Sequence, residues 1–222
     1  MQVGKSLITT HVLPRFFIAL LISFIGTGLG GFFIPPGIAM AIGFIPLIVL
    51  VALLLKSIFG SGKKRRKGLS AYGMVLPMWL VYLFTLLMGI SIYPVIDYYV
   101  DSMGAMMVIV AFGVTSALFG GLFLYTYFTK KDFTFLGGIL FFSLLALILV
   151  SIVGMFIGSD LFYLVLAWVG VVIFSGYILY DVSRMKKDTF TEKDVPAAVF
   201  DLYLNFINLF LDILRILNAF KK

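Results

Sequence analysis

The stretch FDLYLNFINLFLDILRIL, Phe200–Leu217, decides how this chain folds. It is mostly Leu, Ile and Phe, yet it carries Asp201, Asn205, Asn208, Asp212 and Arg215. A helix advances about 100° per residue, so relative to Asp201 the other four fall at about +40°, −20°, +20° and −40°. All five polar side chains therefore share one face about 80° wide. From Leu202 to Leu214 the remaining positions are Leu, Ile, Phe or Tyr. Asp201 to Asp212 covers about 16 Å of helix rise, roughly half of a bilayer's hydrocarbon core. A charge at the bilayer centre costs about 2.5–3.5 kcal/mol on insertion scales. The stripe thus predicts a membrane helix whose polar face looks into protein or a wet cavity rather than lipid. The competing reading is glue between helices, Asn208 bonding a neighbour and Asp212 neutralised by Arg215 one turn on.

The rest of the chain agrees with a membrane setting. Of 222 residues, 62% are hydrophobic, against about 45–50% in a soluble domain. A span needs roughly 20 apolar residues, and seven such segments separate, at about 12–34, 38–59, 70–93, 103–128, 133–157, 161–183 and 196–218. They predict one polytopic domain over 1–222. Each lipid-facing span must satisfy its backbone internally, which predicts helices throughout. The runs are too long and too evenly apolar for barrel strands. The run Val12–Phe33 is long for a signal peptide and no small-x-small cleavage site follows it, so the first span is expected to stay.

Loop charges predict the orientation. Lys63, Lys64, Arg65, Arg66 and Lys67 follow segment two, Lys130 and Lys131 follow segment four, and Arg184, Lys186, Lys187 and Lys193 follow segment six. The alternate loops hold acids, Asp97 and Asp101, then Asp160. Lys and Arg favour the cytoplasmic side, which places the N-terminus there and, after seven crossings, the C-terminus outside. Lys221 and Lys222 oppose that, leaving a re-entrant seventh segment as the alternative. The net charge of +7 reads as this topology signal, and no nucleic-acid partner is expected.

The second acid of interest is Asp181 in FSGYILYDVSR, Phe174–Arg184, at the cytoplasmic end of segment six. Segment seven starts on the same side, so Asp181 and Asp201 lie at comparable depth. Two carboxylates that approach each other resist joint ionisation and titrate as a unit, a pH sensor in outline. Alternatively Asp181 pairs with Arg184, Arg65 or Arg66. Enzyme chemistry is not expected. The Gly-x-Gly-Asp motif of intramembrane aspartyl proteases is missing, and the only histidine, His11, precedes the first span. Segment seven holds no lysine before its end for a retinal Schiff base, and there is no cysteine. A resident metal or other cofactor is not expected. Pairs such as Gly26 and Gly30 read as helix packing.

Three longer motifs carry a resemblance. AFGVTSALFGGLFLYTYFTKKDFTFLGG (Ala111–Gly138), FSGYILYDVSRM (Phe174–Met185) and LYLNFINLFLDILRIL (Leu202–Leu217) closely resemble the transmembrane Bax inhibitor motif family, and FTLLMGISIYPV (Phe84–Val95) also fits. The likeness is good over segments three to seven, weak over the first two, and nearest to the short bacterial calcium-leak members. It implies a seventh helix at the centre, wrapped by the other six. It also implies a pH-modulated passive calcium leak governed by two aspartates. One matches Asp181. The other falls on Asn205, and an amide hydrogen-bonds a carboxylate but does not titrate. Asp201, one turn nearer the cytoplasm, is therefore expected to form a displaced pair with Asp181; the alternative is Asp181 acting alone. The family's basic latch near the end of helix two maps onto Arg65 or Arg66, and its helix-two glutamate is missing near Pro46 and Leu47.

The resulting expectation is an ion channel in the bacterial inner (plasma) membrane, with the lipid bilayer as its setting, working as a monomer. Calcium is the permeant ion. Asp181 and Asp201 hold it weakly and transiently, and Asn208, Asp212 and Arg215 continue the path, as suits weak multi-site passage. Two other classes stand beside it. A non-conducting regulator would bind other membrane proteins, a protease or the stress and cell-death machinery. A proton-coupled transporter would show inverted repeats, and no clear repeat is present.

Overall fold

The computed structural model describes residues 2–45 and 76–221. Among them there is no strand, and six helices are long and apolar enough to cross a membrane. The first crossing is one continuous rod of α1 (Gln2–Leu7), a π-helical turn (Ile8–Val12) and α2 (Leu13–Phe33). Pro14 explains the wide turn. Proline has no N–H to give and crowds the carbonyl four residues back, and a π turn just before it takes up the slack. The Thr10 hydroxyl bonds back to the Ser6 carbonyl at 2.8 Å within the same stretch. Ile34 is extended because it precedes Pro35, and Pro36 then opens α3 (Pro36–Ile42). α3 is the start of segment two, whose remainder from residue 46 lies outside the described residues, as do Pro46 and Leu47.

The later helices are α4 (Met78–Met103), α5 (Ala105–Phe128), α6 (Gly137–Ile157), α7 (Asp160–Met185) and α8 (Val195–Lys221). α4 corrects the sequence reading. Segment three was expected to stop at 93, but the helix continues through Pro94, so Asp97 and Asp101 stand on its last turns and not in a loop. Proline ends a helix less strictly in a membrane, where neighbouring groups re-satisfy the freed carbonyl. Gly104, with φ of +88°, ends the run instead, a conformation that glycine adopts without steric cost. At the other tight turn Gly158 (φ +64°) closes α6, and the Ser159 side chain caps α7 by accepting from the Phe162 N–H.

The residues group into two compact units, Met1–Tyr98 with Lys187–Tyr203, and Tyr99–Lys186 with Leu204–Lys222. In the first unit α2 presents Ser23, Gly26 and Gly30 along one buried face. A Cβ on Gly26 would stand 2.5 Å from the Leu86 carbonyl oxygen, and one on Gly89 would collide with the Ser23 backbone. The helices meet backbone to backbone, as small residues permit. Thr27 donates to the Gly89 carbonyl at 3.1 Å, and the Ser23 and Tyr203 hydroxyls bond at 2.8 Å.

In the second unit α8 runs the length of α5. Near its start Asn205 bonds α7, whose C-terminal Lys186 in turn donates to the Thr126 and Thr129 carbonyls that end α5. At its far end Asn218 accepts from Ser102, and Lys221 donates to the Met103 carbonyl, just before α5 begins. A re-entrant segment would not reach both ends. Lys221 is thus occupied with the C-terminal carbonyls of α4, where a cation is favoured by the helix dipole.

Candidate functional site

Among the described residues, α8 differs from the other spans in burial. Of its most apolar window 72% is buried, against 6–39% in the others. Its apolar side chains are the packed ones, with Leu202, Tyr203, Leu209 and Leu214 sealed completely. On the polar face Asp201, Asn208 and Asp212 are half-buried, Arg215 is exposed, and only Asn205 is buried. The most enclosed of the described spans is therefore less covered along most of its polar stripe than along its apolar faces.

Asp181 and Asn205 meet directly. Asn205 Nδ2 donates to Asp181 Oδ2 at 2.7 Å, with the two residues 3% and 6% exposed. The sequence places them there for simple reasons. Asp181 sits on the last turns of α7, and Asn205 is the stripe residue that turns furthest to one side of Asp201. Asp201, one turn earlier on α8, belongs to the other compact unit. Asn208 folds back and donates to the Leu204 carbonyl of its own helix at 2.8 Å. Arg215 does not neutralise Asp212 through an ion pair; its guanidinium lies over the Tyr163 ring, 5.4 Å from the centroid. Arg65 and Arg66 lie outside the described residues. Among the described residues no three carboxylate or histidine groups gather to hold a metal ion.

Sequence reasoning missed three contributors. Lys186 was counted only as a loop charge, yet its ammonium is buried and gives bonds of 2.7 and 2.6 Å to Thr126 and Thr129. Ser183 accepts from the Phe133 N–H at 3.2 Å and ties the α5–α6 connection to the same end of α7. Gly170 of α7 is the third, because the Asp212 carboxylate occupies the space where its Cβ would be. Of these only Lys186 left a trace in the sequence, as a cation just past a helix end. Lys186→Met is expected to lower stability by about 1.5–3 kcal/mol, the range for hydrogen bonds from charged donors. Thermal unfolding in detergent reads this directly; an unchanged midpoint would show that the clamp contributes nothing.

Residues 9–222 match the sequence profile of a protein family described as "Inhibitor of apoptosis-promoting Bax1". The chain belongs to this Bax inhibitor family. A Vibrio cholerae relative, named only as an uncharacterized membrane protein, is 34% identical over 82% of this chain and 80% of its own length. Mouse protein lifeguard 4 is 37% identical over 66% of this chain, and the match spans 60% of the mouse protein. The Golgi anti-apoptotic protein of vaccinia virus (strain Lister) is 35% identical over 77% of this chain and 70% of its own. With its apolar helices, this Bax inhibitor family member is a multi-pass membrane protein.

Proposed function

We propose that the chain is a passive calcium leak whose conductance is modulated by pH at the cytoplasmic ends of α7 and α8. In this reading α8 is the central helix, wrapped by the other spans, and the protein acts as a monomer in a bacterial plasma membrane with its N-terminus inside. One observation carries the reading: the most buried of the described spans leaves Asp201, Asn208 and Asp212 half-buried and Arg215 exposed on one face. Asp201, Asn208 and Asp212 carry oxygens at successive heights of this one helix, and from the same face Asn205 holds the buried Asp181. Strung-out single oxygens suit passage better than retention, since a tight calcium site takes six to eight.

Calcium flux into liposomes holding the purified protein, from pH 6 to pH 8, tests the reading. Wild type is expected to conduct without a partner. Asp201→Asn is expected to flatten the pH profile if Asp201 is the titrating partner of Asp181. Asn205→Asp is expected to steepen it, because two adjacent carboxylates resist joint ionisation. An unchanged profile in Asp201→Asn removes Asp201 from the sensor. A second reading is a non-conducting regulator that binds other membrane proteins; the vaccinia relative is named an anti-apoptotic protein, which suits a regulator. That reading predicts no flux from the purified protein alone.

A further inference from the structure

Among the described residues, the Asp212 carboxylate carries the one buried side-chain oxygen left without a hydrogen-bond partner, Oδ2. From α7 the residue that faces it is Gly170, where a Cβ would collide with Oδ2 and stand 3.2 Å from Oδ1. From its own helix the charge acting on it is Arg215, whose guanidinium is drawn to the Tyr163 ring. A buried ionised carboxylate needs its lone pairs filled. Gly170 supplies room but no donor.

We propose that Asp212, seated against Gly170, is a second cation-binding station in the membrane, which takes a proton or, in its place, a small hard metal ion. An ionisable residue inside a membrane helix marks a site of this kind more often than a structural one. Asp212 lies seven residues beyond Asn205, about 10 Å along the helix, a position separate from the Asp181 contact. At Asp181 the donor is an amide that stays the same at every pH. At Asp212 the carboxylate has no fixed donor, so a proton is free to bind and leave there. The physiological meaning of the station rests on the proposed leak, but its existence does not.

Infrared difference spectra of the full chain in lipid, between pH 8 and pH 6 in chelator-buffered medium, provide the test. Wild type is expected to gain the carbonyl stretch of a protonated carboxylic acid on acidification. Asp212→Asn is expected to remove one component of that band, leaving any that belongs to Asp181 and Asp201, and Asp160→Asn to leave the band whole. Gly170→Ala, whose methyl displaces the carboxylate, is expected to shift it. Calcium added at constant pH distinguishes the occupants: loss of the band assigns the station to both ions, and persistence assigns it to the proton. A wild-type spectrum without the band, or a band that Asp212→Asn leaves unchanged in shape and intensity, overturns the proposal. A wild-type protein that passes no calcium sinks the leak and leaves these spectra unaffected.

Discussion

Gly89→Ala is expected to destabilise the protein more than any other single methyl addition described here. The new Cβ falls on the oxygen, carbonyl carbon and Cα of Ser23. None of these is the end of a flexible side chain, so α2 and α4 must separate. Separation also stretches the Thr27 bond to the Gly89 carbonyl and the Ser23–Tyr203 bond. Overpacking costs about 1–3 kcal/mol, occasionally more, and the upper end is expected because backbone opposes backbone. Gly28→Ala is the control, since a Cβ there meets nothing within 4 Å. Alanine in that helix position should be neutral or mildly stabilising. Thermal unfolding of the two variants in one detergent decides the matter, and equal midpoints would mean that Gly89 does not hold the helices together.

Asn205→Leu is expected to have the largest effect at the candidate site. Leucine keeps the bulk and the helix propensity but cannot donate to the buried Asp181 carboxylate. Losing a hydrogen bond to a charged group costs about 1.5–3 kcal/mol. If the contact closes the cytoplasmic end of the path, calcium flux in liposomes should rise well above the wild-type rate. Neither leucine nor the lost amide titrates, so any pH dependence left in the raised flux belongs to Asp181 and Asp201. Asn205→Gln retains a donor and separates the two effects: partial recovery of the low flux implicates the bond, and none implicates the shape of the side chain. Reduced stability with unchanged flux would make the contact structural only.

The helical membrane fold and the polar stripe were legible because both are periodic. Five polar residues within 80° of one helix cannot arise from loop or strand spacing, and long apolar runs separate without ambiguity. Contacts were less legible. Charge counting scores the side of a membrane, so Lys186 and Lys221 registered as topology votes, although each spends its charge on the carbonyls of a helix end. Pro94 registered as a stop because the rule is set by helices in water. Asp201 drew attention as the titratable residue of its turn, while the bond to Asp181 comes from Asn205. Gly170 left no signal at all. What a glycine does depends on the group that faces it, and sequence distance does not reveal that Asp212 is the one.

The Lys186 clamp also sets a schedule for assembly. The Thr126 and Thr129 carbonyls that end α5 receive their donor from a lysine 60 and 57 residues further along the chain. Until that lysine has been made, the Thr126 and Thr129 carbonyls lack the donor they hold in the folded protein. The height of that helix end is therefore expected to be settled only once α7 is in place.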